Sequence, residues 1–355
     1  MYWVVKLVII IGVFFYHTNT QSYDKWIVVT TINYPTPALK KLAQLPDWRL
    51  VVVADKKTPT DWHLGNCDFL SVEVQQQLPY KIIPLLPWNH YSRKNIGYLY
   101  AIEHGATIIY ETDDDNLLID DTITYYPEYI TLLDYASVNT IINPYAFFGQ
   151  ATVWPRGYPL QKITTPQNYS TIMHPVSIPI QQGLANLDPD VDAIFRLTHK
   201  EDIIFENNDP LCLASYTMSP FNTQNTIFYY QAFWGLLLPI TTSFRVCDIW
   251  RGYWVQRLLW DLNASLCFFR PTVCQYRNEH NLLSDFKDEL DLYLRAESLI
   301  TLLCGWHSVQ SQFEDRITEI IDLMIAYNFF KTPERGLMQA WLEDLRTLQY
   351  TMPTI

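Results

Sequence analysis

The sequence predicts an α/β fold in which a Rossmann-type mixed sheet is flanked by helices, with a helical appendage at the C-terminal end. Two patterns lead to this prediction. Short apolar runs rich in β-branched residues alternate with helix-like stripes from residue 25 to residue 115. Apolar residues then recur at helical spacing from residue 282 to residue 350.

The first part of the chain is predicted to alternate between strands and helices. The predicted order is a strand at residues 26–32, a helix at 39–45, a strand at 48–54, a helix at 91–104 and a strand at 106–110. The three strands are unbroken apolar runs, which are typical of parallel strands buried on both faces. Right-handed crossovers bring the carboxyl ends of such strands to one crevice. We therefore expect Thr30, Asp55 and residues 111–115 to converge there.

Three segments are predicted along the chain: a leader at residues 1–21, a sheet-containing domain at 24–275 and a helical C-terminal region at 276–355. In the leader, Lys6 precedes an apolar stretch at residues 7–16 that polar residues follow. This stretch is shorter than the roughly 20 residues that span a bilayer, so we favour a secretory signal peptide. A short membrane-anchoring signal is the alternative. Either reading predicts entry into the secretory pathway, with the protein anchored in the Golgi lumen or secreted.

The composition limits the class of protein. Hydrophobic residues make up 49% of the chain and charged residues 17%, which is typical of a folded globular protein. The formal net charge is −12, and no basic run occurs. Because phosphate backbones require clustered Lys and Arg, we exclude a nucleic-acid partner.

The predicted entry into the secretory pathway affects how the cysteines and sequons are interpreted. None of the six cysteines forms a CxxC pair, which argues against a zinc knuckle. Disulfides and buried free thiols both stay open as interpretations. Sequons at Asn168 and Asn263 fit a lumenal protein but are common by chance.

The acidic cluster at residues 111–115 follows the third predicted strand directly. Its four carboxylates, Glu111, Asp113, Asp114 and Asp115, repel one another unless a cation neutralises them. Mn²⁺ or Mg²⁺ is the cofactor expected here, because hard divalent ions prefer a few carboxylate oxygens and then phosphate oxygens. The pairs Glu111/Asp113 and Asp113/Asp115 share the same spacing, and His280 or His307 is a candidate third ligand. A solvated acidic turn is the competing interpretation.

Two further segments contain charged residues that are candidates for phosphate binding and for catalysis. Arg93 and Lys94 open the second predicted helix, where cations and the helix dipole would both suit a diphosphate. Asp248 lies at the start of another predicted helix. It is the candidate catalytic base for an inverting sugar transfer, with a helix N-cap as the rival role. In a retaining enzyme Asp248 would instead hold sugar hydroxyls.

Amides and aromatic rings suggest a sugar site. Asn225 and Trp234 belong to a region that mixes amides with rings, which bind sugar hydroxyls and stack on apolar sugar faces. Together with Arg251, Thr30 and Asp55 they are assigned to donor binding. Residues 186–192 form a second acidic turn, interpreted as structural or as facing the acceptor.

The order of several motifs resembles one known family, the STELLO proteins of the plant Golgi and their relatives in other eukaryotes. The resemblance runs from about residue 24 to residue 350 and lies in residues 25–30, 58–62, 91–98, 101–106, 109–114, 190–196, 231–234 and 248–253. It implies a glycosyltransferase-like protein with a GT-A core, a lumenal orientation and a link to polysaccharide synthesis. The plant members carry Asp-x-Asp-Asp where this chain begins with Glu111.

These features predict a secretory glycosyltransferase that uses a nucleotide-diphosphate sugar as donor and a glycan or glycoprotein as acceptor. Association with other glycosyltransferases is also expected. The main alternative is a GT-A-shaped scaffold or chaperone for another glycosyltransferase. A metal-dependent nucleotidyltransferase is a third reading, which would need a catalytic Lys or a second metal site.

Overall fold

The computed structural model describes residues 23–137, 139–277 and 281–355 of the chain. Their strands form one mixed sheet in the order β3-β2-β1-β4-β9-β7-β6-β8-β10-β5. The strands are β1 (Lys25–Thr31), β2 (Arg49–Ala54), β3 (Cys67–Leu70), β4 (Ile108–Thr112), β5 (Asn116–Leu118), β6 (Tyr129–Ser137), β7 (Tyr169–Leu187), β8 (Leu211–Leu213), β9 (Asn225–Tyr229) and β10 (Ala264–Gln275).

Helices cover both faces of this sheet. The α-helices are α1 (Pro37–Leu42), α2 (Val72–Gln77), α3 (Lys94–Glu103), α4 (Pro144–Phe147), α5 (Ala193–Thr198), α6 (Cys247–Asp261), α7 (Leu282–Asp288), α8 (Leu290–Gly305), α9 (Phe313–Ala326) and α10 (Pro333–Thr347). Short 3₁₀ turns lie at Ile83–Leu85, Tyr91–Arg93, Leu160–Lys162 and Tyr230–Leu236. The predicted α/β class with C-terminal helices is confirmed, and the arrangement is consistent with a GT-A-like fold.

The first half of the sheet is parallel, as the apolar runs predict. β1 pairs in parallel with β2 on one side and with β4 on the other, and β2 pairs in parallel with β3. Helix α3 packs closely on this part of the sheet. A Cβ atom at Gly97 would lie 2.6 Å from a methyl carbon of Val28 and 2.8 Å from one of Val53. Glycine therefore allows the close approach of helix to sheet.

The later strands extend the sheet in mixed directions. β9 is antiparallel to β4, β7 is antiparallel to β9, and β10 is parallel to β7. β7 and β10 therefore run in the same direction as β1 and β4. Their carboxyl ends consequently face the same edge of the sheet as those of the first strands.

The C-terminal helices share the main hydrophobic core with the sheet. This core includes Trp26 and Ile109 from the strands and Leu303, Ile320 and Trp341 from the last helices. None of the helices in the described part of the chain is long and apolar enough to cross a membrane. The predicted leader at residues 1–21 lies outside the described residues.

Candidate active site

A cavity of about 610 Å³ opens at the carboxyl edge of the parallel strands. Thr30 and Thr31 at the end of β1, Asp55 after β2 and residues 113–115 after β4 line it. We call Asp113, Asp114 and Asp115 the carboxylate turn. Later parts of the chain contribute Arg156, Asp190, Asn222, Phe244, Arg245, Asp248, Gln275 and Arg277.

The topology explains why distant residues meet here. Asp190 follows β7 and Arg277 follows β10, two strands that end at the same edge as β1 and β4. Asn222 precedes β9, which starts at this edge because it runs antiparallel to β4. The crevice is therefore the one expected at the carboxyl ends of strands in an open α/β sheet.

Each carboxylate of the turn is held by a different partner. Asp113 accepts a hydrogen bond from the Tyr91 hydroxyl. Asp114 accepts from the Thr31 hydroxyl and, at 3.0 Å, from the Asn33 side chain. In Asp115, both carboxylate oxygens accept from Nε2 of Gln275, at 3.1 and 3.2 Å.

The turn carries more negative charge than its surroundings neutralise. Burial, together with the Asp113 and Asp114 carboxylates, raises the pKa of Asp115 to about 7. Burial also raises the pKa of Asp113, although the Lys94 ammonium 3.5 Å away opposes this. A bound cation would stabilise the ionised form of both side chains.

The carboxylate oxygens of the turn fit a hard divalent cation that also binds oxygens of a substrate. Carboxylate oxygens are what Mn²⁺ and Mg²⁺ prefer, and the Asp113 side chain is 30% exposed in the cavity. Within the described ranges, no group of three or more His, Cys, Asp or Glu side chains is placed to enclose a metal ion. An ion at the turn would therefore complete its coordination with oxygens from a ligand, as Mg²⁺ does with phosphates.

Arg156 joins two buried carboxylates on another wall of the cavity. Its Nε and Nη2 donate to the two oxygens of Asp190, both at 2.8 Å. Nη1 and Nη2 donate to Asp248 at 3.1 and 2.8 Å. Asn222 donates to Asp190 at 2.7 Å, so Arg156 organises a connected polar group.

Asp248 does not cap helix α6. The N-cap position is Val246, which makes no side-chain cap bond, and Asp248 lies in the first turn of the helix. The rival role that the sequence left open is therefore not observed. Although burial by itself would raise its pKa, Arg156 holds the pKa of Asp248 below its usual range. A carboxylate so stabilised is a weak base. This favours the role expected in a retaining enzyme, in which Asp248 holds sugar hydroxyls.

Thr30 and Asp55 line the cavity as predicted, but their side chains are already bonded within the protein. The Thr30 hydroxyl donates to the carbonyl of Val53 at 3.0 Å. Asp55 accepts from the backbone amides of Asn89 at 2.8 Å and His90 at 3.1 Å. Asp55 therefore holds the loop at residues 89–90 against the cavity, and its role in donor binding stays a prediction.

Arg93 and Lys94 lie behind the cavity instead of lining it. The Arg93 guanidinium stacks on the Trp88 ring at 3.7 Å and donates to Gln75. Burial lowers its pKa to about 10. Nζ of Lys94 donates to the Thr112 carbonyl at 2.7 Å and to the Tyr91 hydroxyl at 2.9 Å. Both cations support the wall, and direct contact with a diphosphate is not favoured.

Glu111 and Arg251 form a buried ion pair beneath the cavity. Strand β4 extends through Thr112, two residues beyond its predicted end, so Glu111 belongs to the strand and not to the turn. Its carboxylate is 2.6 Å from Nη2 of Arg251 and also accepts from the Tyr98 hydroxyl. Both side chains of the pair are fully buried. Of the two candidate metal-ligand pairs, only Asp113/Asp115 therefore lies in the cavity.

Asn225 and Trp234 also lie away from the cavity. Asn225 is in β9, where its amide donates to the Leu184 carbonyl at 3.0 Å and to the Thr272 hydroxyl at 2.8 Å. Trp234 is fully buried in the core. The contact with donor sugar expected of both residues is not supported.

The remaining sequence candidates have mixed outcomes. The six cysteines lie in described residues, and all are free thiols. His307 is exposed and is not among the residues that line the cavity. His280 lies outside the described residues.

Sequence reasoning missed Arg156, Arg245 and Arg277 as cavity residues. Asp190 belongs to the acidic turn for which the sequence leaves a structural or an acceptor-facing role open, without a place beside the metal ligands. The rule that residues just after a parallel strand face the cavity identified Thr30 and Asp55 correctly. Asp190 and Arg277 also follow the ends of strands. Applied to β7 and β10, the same rule would have found them.

Two curated relatives from Arabidopsis thaliana match this chain, and both are described as probable glycosyltransferases, STELLO1 and STELLO2. Each is 35% identical to it, over 96% and 94% of the chain respectively. The chain spans about half of their length, 46% in each case. A family model of STELLO glycosyltransferases matches residues 245–355, which include Asp248 and Arg277. These matches identify a STELLO-like chain, similar over nearly its whole length to plant proteins described as probable glycosyltransferases.

Proposed function

We propose that this chain is a metal-dependent transferase that moves a sugar from a nucleotide-diphosphate sugar to a hydroxyl of a glycan or protein. The carboxylate turn is the observation that supports it. Three carboxylates lie together in a crevice at the sheet edge where open α/β folds bind nucleotides. Burial and the neighbouring Asp113 and Asp114 carboxylates raise the pKa of Asp115 to about 7, so a divalent cation would stabilise the ionised turn.

Asp113 and Asp115 are the proposed ligands of Mn²⁺ or Mg²⁺. When bound, such an ion supplies Lewis-acid stabilisation of the diphosphate. The chain holds both carboxylates in place, because Tyr91 donates to Asp113 and Gln275 donates to Asp115. Asp114 serves as a support, since Thr31 and Asn33 both donate to its Oδ2 atom.

The rest of the cavity suits the two substrates. Residues 30–33 and the loop at 89–90 line it beside the turn, where the nucleoside of the donor would lie. Asp190, Asp248 and Asn222 offer oxygens and an amide to sugar hydroxyls. Phe244 is 45% exposed and offers an apolar face to a sugar ring.

A panel of nucleotide sugars tests the proposal. The purified chain is incubated with each donor and Mn²⁺, and the release of free nucleoside diphosphate is measured with and without glycan acceptors. We expect release from one class of donor and its loss in Asp113→Asn. Asp121→Asn is the matched control, because the side chain of Asp121 is fully exposed.

Binding separates the enzyme from a non-catalytic scaffold. Calorimetry with nucleoside diphosphates in the presence of Mn²⁺ measures the donor site directly. Absence of any Mn²⁺-dependent binding would refute the proposal. Stable co-purification with a second glycosyltransferase, together with full function of the Asp113→Asn, Asp115→Asn double variant, would support the scaffold instead.

We propose that the chain works in the secretory pathway. The sequence features that support this are the leader at residues 1–21 and two sequons, whose Asn168 and Asn263 are both exposed. Expression of the full chain in eukaryotic cells should give a mass shift on endoglycosidase treatment. Replacing both asparagines with glutamine should abolish that shift.

A further inference from the structure

Among the residues that the structure describes, three guanidinium groups line the cavity, and two of them are occupied within the protein. Arg156 donates to both Asp190 and Asp248 through Nε, Nη1 and Nη2. Arg245 donates to Glu289 through Nε at 2.8 Å and Nη2 at 2.6 Å. The third guanidinium, that of Arg277, requires a separate explanation.

The strand register brings Arg277 beside the carboxylate turn. In the antiparallel pair of β10 and β5, Gln275 is the partner of Asn116. Beyond the strand, the amide of Tyr276 donates to the carbonyl of Asp115 at 3.3 Å. The next step in this register puts Arg277 at the position opposite Asp114. Its side chain lines the same cavity as the turn.

Arg277 retains donor capacity. Its Nη2 is 3.3 Å from an oxygen of Asp285, which is longer than the charge-assisted bonds of Arg156 and Arg245. Among the described residues, Nε of Arg277 has no hydrogen-bond partner. The side chain is 11% exposed. Since a buried unpaired donor is costly, a further anionic ligand would stabilise this side chain.

We propose that Arg277 binds the phosphate that is attached to the sugar and neutralises it as it leaves. The inference rests on the proposed function. A guanidinium matches phosphate oxygens through two parallel hydrogen bonds. In the transfer, the bond between the anomeric carbon and the phosphate oxygen breaks, and its electron pair stays on that oxygen. The acceptor oxygen bonds to the anomeric carbon and its proton passes to water.

This assignment replaces Arg93 and Lys94 as the cations that face the diphosphate. The guanidinium of Arg93 is stacked on Trp88 and the ammonium of Lys94 is bonded to protein oxygens, whereas Arg277 lines the cavity. Arg277 is a catalytic residue in this scheme, because it touches the leaving group. Charge stabilisation of this kind acts where negative charge develops in the reaction.

Two nucleotides that differ by one phosphate test the inference. Calorimetry with Mn²⁺ compares a nucleoside diphosphate with its monophosphate on the wild type and on Arg277→Gln. We expect the diphosphate to bind about 10- to 100-fold more weakly to the variant, as for loss of a charged hydrogen bond. Monophosphate affinity should be unchanged. The matched control is Arg270→Gln, in strand β10. The Arg270 side chain is partly exposed and pairs with Asp120 outside the cavity.

A second variant keeps the test informative if Arg277→Gln does not fold. Arg277→Lys preserves the charge but loses the planar fork, so we expect a smaller loss of diphosphate affinity and a reduced kcat. Unchanged diphosphate affinity in either folded variant, or an equal loss for the monophosphate, would overturn the inference. If the wild type binds no diphosphate with Mn²⁺, the proposed function itself fails.

Discussion

At the level of single residues, Arg156 bridges two buried carboxylates, so its removal has a predictable cost. In Arg156→Gln, Asp190 and Asp248 lose their cation, and we expect a loss of about 3–5 kcal/mol in unfolding free energy at neutral pH. Chemical denaturation measures it. Arg335→Gln is the control, since its exposed pair with Asp322 should contribute less than about 1 kcal/mol.

The pH dependence of this variant follows from the lowered pKa of Asp248. A carboxylate whose pKa is lower in the folded than in the unfolded protein adds stability above its unfolded pKa. That stability is lost as pH falls through the folded pKa. The difference between wild type and Arg156→Gln should therefore shrink below about pH 4. A difference that stays constant with pH would contradict the ion-pair explanation.

For Asp115, the effect of pH on stability has the opposite sign to that for Asp248. Its pKa is raised from 3.8 to about 7, so the folded protein without a cation binds the proton more tightly than the unfolded chain. Stability should then fall as pH rises from about 4 to about 7, by at most about 4 kcal/mol. Asp115→Asn should remove this fall. Denaturation in a chelating buffer at pH 5 and pH 8 measures it, with Asp121→Asn as control.

At the level of elements, the contact of helix α3 with the sheet depends on Gly97. In Gly97→Ala the new methyl would overlap Val28 and Val53, so we expect a loss of about 1–3 kcal/mol. Gly336→Ala in helix α10 is the control, because no atom lies within 4 Å of a Cβ there. Alanine favours the helix at that site, so Gly336→Ala should leave stability unchanged or raise it by up to about 1 kcal/mol. Thermal unfolding of both variants measures the difference.

At the level of the whole molecule, the last helices and the sheet contain one continuous core. The Trp341 indole donates to the carbonyl of Trp234 at 3.1 Å, and Asp344 accepts from the backbone amides of Lys81 and Ile82. A chain that ends at residue 275 should therefore fail to unfold cooperatively. Removal of residues 353–355 is the control and should have little effect. Cooperative unfolding of the shorter chain would support an independent domain at residues 24–275.

The local part of the fold could be predicted from sequence. The apolar runs of β1 and β2 and the helical spacing around Gly97 are local patterns, and each appears close to its predicted position. The end of β4 was predicted two residues early. Because Glu111 is paired with Arg251, a residue 140 positions away, its burial has no local signature.

The sequence by itself determined the α/β class and the position of the carboxylate turn. Both depend on backbone periodicity and on charge density within a few residues. Only the tertiary structure decided which charged groups face the cavity. Arg156, Asp190 and Asp248 are far apart in the chain. From the sequence Lys94 resembles a surface cation, but in the structure its ammonium donates to Thr112 and Tyr91. Whether a charge faces ligand or protein depends on partners that only the folded sheet brings together.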